Sequence, residues 1–152
     1  MYKILLVEDE VHKREELSAC LSEYFGDAAA IDYVDSVHAA FWAVSAEDYD
    51  LIVLDMALPT FSTDGTATER GHDQALGGVE VLRALKTRGV SRKVIIITQY
   101  PEITVAGKRL KISAASDILS KRYDQKVLGG VLYKYKSPGN GMKLKSILKR
   151  VV

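Results

Sequence analysis

The sequence predicts an α/β fold in which a parallel β-sheet is covered by helices on both faces. Short apolar runs alternate along the chain with segments whose apolar residues recur every three or four positions. The runs are short enough for strands, and their lack of polar residues suits strands that are buried on both faces. Several of them end directly on a carboxylate or a hydroxyl side chain. These observations indicate a doubly wound parallel sheet with polar groups gathered along one edge.

Five apolar runs are predicted to be strands. They lie at residues 3–7, 29–34, 51–54, 94–97 and 117–120. The third run is wholly apolar, and the fourth consists of β-branched residues, which favour strands. We expect the flavodoxin-like strand order 2-1-3-4-5 with right-handed crossovers.

Five helical stripes are predicted between and after the strands. The apolar residues that define them are Leu17, Cys20, Leu21 and Tyr24; Val37, Ala40, Phe41 and Val44; Val79, Leu82 and Leu85; Ile103, Ala106 and Leu110; and Val127, Leu128, Val131, Leu132 and Tyr135. Ser36 is a good N-cap for the second helix. Gly129 and Gly130 lie within the fifth stripe and cost that helix about 1 kcal/mol each.

Two segments do not follow this alternation. Residues 59–77 are polar and form a long loop, and loops beyond about 12–15 residues are usually functional or disordered. Residues 137–152 begin with a turn signal and continue as a basic, partly apolar tail. We therefore expect one domain at 1–136, with the loop inserted at 59–77, and a C-terminal extension at 137–152. The extension is either an amphipathic helix or one strand of a hairpin that turns at Asn140.

Composition narrows the class of protein. The chain has 152 residues, 47% hydrophobic and 27% charged, which is typical of one globular domain. A net charge of +1 gives no field that favours nucleic acid or a membrane surface. No apolar stretch reaches the roughly 18–20 residues of a membrane helix, and no secretory signal is evident. The lone Cys20 cannot form an internal disulfide, so a reducing cytoplasm is the expected compartment.

The residues at the strand ends suggest phosphoryl chemistry. Glu8 and Asp9 follow the first strand, and the next three strands with polar ends lead to Asp55, Thr98 and Lys121. In a parallel sheet these ends share one edge, which is where α/β sheets bind ligands. Neighbouring carboxylates repel each other, and Mg²⁺, which prefers oxygen ligands, relieves that repulsion. One carboxylate can then attack phosphorus while a hydroxyl and an ammonium group stabilise the phosphoryl oxygens.

At these positions the chain resembles the receiver domain of bacterial two-component response regulators, in its chemotaxis-regulator-like form. The matching stretches are Ile4-Leu5-Leu6-Val7-Glu8-Asp9-Glu10, Tyr49-Asp50-Leu51-Ile52-Val53-Leu54-Asp55-Met56-Ala57-Leu58-Pro59, Gly78-Val79-Glu80-Val81-Leu82-Arg83, Val94-Ile95-Ile96-Ile97-Thr98 and Ala115-Ser116-Asp117-Ile118-Leu119-Ser120-Lys121. Any one motif is weak, but all five occur in the family's order and cover residues 2–135 apart from the long loop.

The resemblance implies which residues bind the metal and the phosphoryl group. Asp55 would accept the phosphoryl group. Asp9 would bind Mg²⁺ directly, Glu8 would assist through water, and the backbone carbonyl of Met56 would be a further ligand.

The remaining site residues would act on the phosphoryl group itself. Thr98 would bond to it and shift when it arrives, and Lys121 would pair with one of its oxygens. The donor would be a phosphohistidine on a sensor histidine kinase or phosphotransfer protein, or a small molecule such as acetyl phosphate.

Several residues depart from the family's pattern. Arg122 replaces the proline that usually follows the lysine, and Ile118 replaces the usual switch aromatic. Lys134 and Lys136 end another apolar run, but the segment at 117–124 fits the family better, so Lys121 is assigned. Tyr100 occupies a position that tunes phosphoryl lifetime in this family, and its bulk would slow hydrolysis by hindering water.

Three functions are compared on these grounds. The leading interpretation is a stand-alone receiver that switches an unknown output protein through a face carrying Lys108, Arg109, Lys111 and Arg122. The second is a pseudo-receiver that binds protein without being phosphorylated. The third is a Mg²⁺-dependent phosphohydrolase, but Ala57 stands where such enzymes commonly carry a second acid. We therefore expect no enzyme beyond slow self-phosphorylation and self-dephosphorylation, and homodimerisation is left open.

Overall fold

The computed structural model describes residues 1–58 and 77–151. The elements are β1 (Tyr2–Val7), α1 (Val11–Phe25), β2 (Ala29–Val34), α2 (Val37–Ala46), β3 (Leu51–Asp55), α3 (Gly77–Thr87), β4 (Lys93–Thr98), β5 (Glu102–Val105), β6 (Lys108–Lys111), α4 (Ile112–Tyr123), β7 (Lys126–Leu132) and α5 (Gly139–Leu148). The predicted loop at 59–77 lies outside the described residues except for Gly77, so it stays a prediction.

The main sheet has five parallel strands in the order β2-β1-β3-β4-β7. This confirms the predicted doubly wound sheet and its 2-1-3-4-5 order, with β7 as the fifth strand of the sheet. The central strands β1, β3 and β4 are almost completely buried, as their continuous apolar runs predict.

A small hairpin lies where the fourth helical stripe was predicted. β5 and β6 pair antiparallel around a two-residue turn at Ala106 and Gly107. Both turn residues have positive φ angles, 52° and 79°, as a type I′ hairpin turn requires. The alternation of buried Ile103 and Val105 with the more exposed Thr104 is the period-2 signal of a strand. The prediction of a helix from Ile103, Ala106 and Leu110 is therefore wrong.

The predictions of the fifth strand and the fifth helix are also wrong, because the predicted strand is helical and the predicted helix is a strand. Residues 117–120 lie within α4, whose buried residues Ala115, Leu119 and Tyr123 recur every four positions. Residues 126–132, predicted as helical, form β7 beside β4.

The glycines of β7 explain this second error. A Cβ atom on Gly129 would lie 2.9 Å from Ile147 Cδ1, and one on Gly130 would lie 2.8 Å from Ile112 Cγ1. The two glycines thus let helices approach closely on both faces of the strand, and they are not defects in a helix.

Two apolar cores lie on opposite faces of the sheet. One combines residues of α2, α3, α4 and the hairpin with alternate strand residues. The other combines α1 and α5, in which Leu144, Ile147 and Leu148 pack with Ile95 and Val131. The extension predicted at 137–152 thus contains α5, which packs into this core. None of the helices in the described part of the chain is long and apolar enough to cross a membrane.

Candidate functional site

Three acidic residues lie together at the carboxyl edge of the main sheet. Glu8 and Asp9 directly follow β1, and Asp55 is the last residue of the neighbouring strand β3. One carboxylate oxygen from each lies within 4.8 Å of the others. Glu8 and Asp55 are 0% and 2% exposed, whereas Asp9 is partly exposed. The structure therefore brings together the three carboxylates that the sequence placed on this edge.

Backbone amides hold two of these carboxylates in place. The Ala57 N–H donates to Asp55 Oδ1 at 3.0 Å, and the Glu10 N–H donates to Glu8 Oε2 at 3.2 Å. Both bonds span two residues, so each carboxylate is fixed by the chain that follows it. Such short loops orient the side chains from a rigid sheet, which suits a site that must hold its ligands in a set geometry.

The segment after β3 is held by close backbone packing. The Met56 carbonyl, predicted as a metal ligand, accepts a hydrogen bond from the Gly78 N–H at 3.1 Å. A carbonyl oxygen has a second lone pair, so the predicted role stays open. A Cβ atom on Gly78 would lie 2.7 Å from Met56 Cα and 2.9 Å from the Asp55 carbonyl oxygen. Only glycine therefore fits at this contact between α3 and the site.

Thr98 lies beside the acids at the end of β4 and is completely buried. Its Oγ1 accepts a hydrogen bond from the Tyr100 N–H at 3.0 Å. Its carbonyl accepts a 2.7 Å hydrogen bond from the N–H of Tyr133, the residue that directly follows β7. The residue at the end of the fifth strand of the sheet, next to Thr98, is thus a tyrosine.

The structure adds Lys13, which the sequence analysis did not single out, to this site. Lys13 lies in the first turn of α1 and is only 1% exposed. Its Nζ is 2.9 Å from Glu8 Oε1 and 3.4 Å from Asp55 Oδ1. Lys13 also precedes Leu17, Cys20 and Leu21 at helical spacing, and these four are the buried residues of α1. A lysine in line with an apolar helical stripe was the sequence signal that could have revealed it.

The charges of the site perturb one another. Burial and the nearby Asp55 carboxylate raise the pKa of Glu8, and the Lys13 ammonium opposes this rise. Burial lowers the pKa of Lys13, but the Asp55 and Glu8 carboxylates outweigh it and the net shift is upward. Lys13 is therefore a cation that faces two carboxylates in a site with little water.

The three lysines that the sequence offered, Lys121, Lys134 and Lys136, are all exposed. Lys121 lies on α4, not at a strand end, and its side chain is exposed. Its predicted position at a strand end is wrong, because residues 117–120 continue the helical stripe. Lys134, which the sequence analysis set aside in favour of Lys121, follows Tyr133 directly, but it is exposed and its backbone bonds with Asn140. The departures inferred at Ile118 and Arg122 likewise fall on α4, outside the sheet edge.

The donor set fits a divalent cation. Glu8 Oε1 is buried, and its close partner among the described residues is Lys13 Nζ at 2.9 Å, which leaves one lone pair of the oxygen free. Its free lone pair, with carboxylate oxygens of Asp9 and Asp55 nearby, makes an all-oxygen site of the kind that Mg²⁺ prefers. We infer that the residues present fit this metal.

Comparison with known proteins agrees with this geometry. No protein-family model matches the chain. The Detocs response regulatory protein DtcB of Enterobacter cloacae strain JD6301 is 28% identical over 138 residues, which are 89% of this chain and 90% of that protein. DtcB of Vibrio alginolyticus is 28% identical over 124 residues, covering 79% and 80% of the two chains. The chain thus has the sequence pattern and the fold of a response-regulator receiver domain.

The fold of this chain is shared with solved response regulators. The response regulator TrrA of Thermotoga maritima, crystallised in complex with Mg²⁺ and BeF, superposes with a TM-score of 0.63 at 24% identity and full coverage of both chains. The acidic cluster of Glu8, Asp9 and Asp55 is consistent with the phosphoacceptor site of a receiver. Receivers are typically phosphoacceptors in signalling rather than enzymes.

Proposed function

We propose that this receiver domain is a phosphorylation-controlled switch in which Asp55 accepts a phosphoryl group in a Mg²⁺-dependent reaction. The observation that carries the proposal is the convergence of three carboxylates within 4.8 Å at the sheet edge, next to the buried Thr98. A binding module that is never phosphorylated has no need for such a costly cluster of like charges.

Asp55 is the carboxylate best placed to act as nucleophile. It ends the central strand β3, and the Ala57 N–H holds Oδ1 at 3.0 Å. In the transfer step an oxygen of Asp55 forms a bond to phosphorus while the bond from phosphorus to the donor breaks. With phosphohistidine the imidazole nitrogen leaves and takes up a proton; with acetyl phosphate the leaving group is acetate.

Glu8, Asp9, Asp55 and the Met56 carbonyl would hold the metal ion. When bound, Mg²⁺ supplies positive charge that offsets repulsion among the carboxylates and the phosphoryl oxygens. Thr98 supplies a hydroxyl at the same edge: its O–H would donate to a phosphoryl oxygen, while its Oγ1 accepts from the Tyr100 N–H. Because the hydroxyl is bonded to the backbone of Tyr100, a shift of Thr98 toward the phosphoryl group gives a route by which phosphorylation at Asp55 would reshape the chain after β4.

The partners follow from membership of the receiver class. We expect the donor to be a sensor histidine kinase or a phosphotransfer protein, and the output to be a further protein. Lys108, Arg109 and Lys111 lie on or beside the exposed edge of β6, and Arg122 lies on the exposed side of α4. This hairpin and α4 follow directly after Thr98 and Tyr100, so the proposed switch would act on that basic surface.

The deciding experiment is intact-mass spectrometry after incubation with acetyl phosphate and Mg²⁺. The wild type is expected to gain one phosphoryl group, and omission of Mg²⁺ or the substitution Asp55→Asn is expected to prevent it. Asp48→Asn is the matched control, because Asp48 is exposed and its ion-pair partner within residues 1–58 and 77–151 is Arg92. No adduct with acetyl phosphate, and none with a phosphorylated kinase, would favour a pseudo-receiver that acts by protein binding alone.

A further inference from the structure

We propose that Lys13 of α1 is the cation that neutralises the phosphoryl group on Asp55. The receiver resemblance gives this task to a lysine at the end of the fifth strand. This inference rests on the proposed function, because it assigns a residue to the phosphorylated state. It differs from the family's pattern in taking the lysine from helix α1 and not from the end of a strand.

The residue that directly follows the fifth strand of the sheet is not a cation. Tyr133 follows β7 and bonds to Thr98 through its backbone, so its side chain starts where the strand-end lysine is expected. Its phenol is buried and hydrogen-bonds to Glu16, which together with burial raises the pKa of Tyr133 to about 12. A neutral phenol already engaged with a carboxylate cannot supply positive charge to a phosphoryl oxygen.

Lys13 reaches the same region from α1. In a helix the Cα–Cβ bonds tilt toward the N-terminus, and α1 begins just beyond the carboxyl end of β1. The side chain of Lys13 therefore extends back to the sheet edge. Its Nζ lies 5.3 Å from the centre of the Tyr133 ring, within the range of a cation–π contact.

The position of the ammonium suits a ligand on Asp55. Nζ is 3.4 Å from Asp55 Oδ1, so oxygens of a phosphoryl group attached to that carboxylate would lie within reach without movement of the backbone. Nζ is also 2.9 Å from Glu8 Oε1. If Glu8 binds Mg²⁺, the Lys13 ammonium is released from its ion pair with Glu8 and becomes available to the phosphoryl oxygens.

Local helix energetics give no other reason for a lysine here. The first turn of a helix favours negative charge because of the helix dipole, and burial of an ammonium is unfavourable without partners. The first turn of α1 holds no acidic residue, and Lys13 is its buried member. Its position is favourable only through the acids of the site, which ties Lys13 to the phosphoacceptor pocket.

The test compares Lys13→Met with wild type in three measurements. Circular dichroism checks the fold, calorimetry measures Mg²⁺ binding, and intact mass together with ¹⁹F NMR of Mg²⁺-dependent BeF₃⁻ binding measures the phosphoryl site. Lys13→Met is expected to bind Mg²⁺ at least as tightly as wild type, because the ammonium no longer competes for Glu8. Its rate of phosphoryl uptake is expected to fall about 100-fold, the usual effect of removing one group that stabilises developing charge.

The competing lysines are tested in parallel. Lys121→Met and Lys134→Met remove exposed ammonium groups that lie on α4 and beyond Tyr133. Both are expected to take up the phosphoryl group at the wild-type rate. A large loss in either, with Lys13→Met unaffected, would overturn the assignment of Lys13.

A relocated lysine separates a chemical role from a structural one. The double variant Lys13→Met/Tyr133→Lys moves the ammonium to the end of the fifth strand and is expected to recover phosphoryl uptake and BeF₃⁻ binding. If Lys13→Met does not fold, this double variant decides: uptake supports the proposal, and a folded double variant without uptake contradicts it.

Failure of the Lys13 assignment and failure of the proposed function give different results. A folded Lys13→Met that is phosphorylated as fast as wild type rejects Lys13 while the proposed function stands. A wild type that accepts no phosphoryl group from any donor rejects the proposed function, and the present inference with it.

Discussion

The ammonium of Lys13 lies 5.3 Å from the centre of the Tyr133 ring, so a lysine from the first helix meets the residue that follows the fifth strand of the sheet. Tyr133 in turn bonds to Thr98 through its backbone. The contact therefore connects α1, β7 and β4 at the edge where Asp55 lies. Any change of charge at Asp55 acts on both Lys13 and the strand that carries Thr98.

Removal of the ammonium should make the stability of the domain depend on Mg²⁺. Lys13→Met leaves Glu8 and Asp55 buried without their cation, and loss of one partner from a buried ion pair costs about 3–5 kcal/mol. Mg²⁺ binds the folded state and offsets that loss. We expect the rise in melting temperature on adding Mg²⁺ to be larger for Lys13→Met than for wild type.

The control for this measurement is Lys108→Met, which removes an exposed lysine of the hairpin. Its response to Mg²⁺ should match that of wild type. An equal Mg²⁺ effect in wild type and Lys13→Met would show that the ammonium and the metal do not share the carboxylates.

Gly78 should be sensitive to the smallest side chain. In Gly78→Ala the new Cβ would lie 2.7 Å from Met56 Cα and 2.9 Å from the Asp55 carbonyl, and neither backbone atom can move without displacing Asp55. Overpacking of this kind costs about 1–3 kcal/mol. We expect chemical denaturation to show that loss and Mg²⁺ affinity to fall with it.

Gly139→Ala provides the matched change at the start of another helix. There the nearest atom to the new Cβ is Ser137 Oγ at 3.4 Å, an ordinary contact distance. Its stability should stay within about 1 kcal/mol of wild type. If Gly78→Ala were equally mild, the close contact between α3 and the site would not constrain Asp55.

Tyr100 should govern how long the phosphoryl group survives. Its N–H donates to Thr98 Oγ1 at 3.0 Å and the residue is 37% exposed, so the backbone that carries this bulky side chain lies beside the site. Tyr100→Ala is expected to hydrolyse the acyl phosphate several-fold faster, because water reaches phosphorus more easily. The decay of the phosphorylated mass after removal of the donor measures this, and an unchanged half-life would rule out shielding by Tyr100.

Much of the sheet could be predicted from the sequence because three of its strands are short, continuous apolar runs. The runs at 3–7, 51–54 and 94–97 are too short for helices and too apolar for surface strands, and all three are strands of the sheet. Their ends place Glu8, Asp9, Asp55 and Thr98 at one edge without further information.

The second half could not be predicted in the same way because its signals overlap. Ile118 and Leu119 suggested a strand, yet Leu119 belongs to the helical stripe of α4. Gly129 and Gly130 suggested a poor helix, yet they make room for Ile147 and Ile112 across a strand, a tertiary contact that no local pattern encodes. Lys13 was missed for a different reason, since a charged residue on an apolar stripe is normally assigned to the surface.

The reactivity of the Cys20 thiol should show whether α5 shields α1 from solvent. Its thiol is buried and its Sγ lies 3.8 Å from the Gly141 carbonyl in α5. Burial raises the pKa of the Cys20 thiol, so little reactive thiolate is present at pH 8. A thiol reagent such as DTNB is therefore expected to react slowly with the folded protein and rapidly after denaturation.

Leu148→Ala should weaken the packing of α5 against α1 locally. Leu148 is completely buried in the same core as Cys20, and such a truncation costs about 2–5 kcal/mol. Leu119→Ala is the matched control, because Leu119 is equally buried on the opposite face of the sheet. We expect the rate of the thiol reaction to rise more in Leu148→Ala than in Leu119→Ala when the two variants are compared at equal free energies of unfolding. Equal acceleration would mean that Cys20 reacts only through global unfolding, and that α5 does not shield α1 as a local unit.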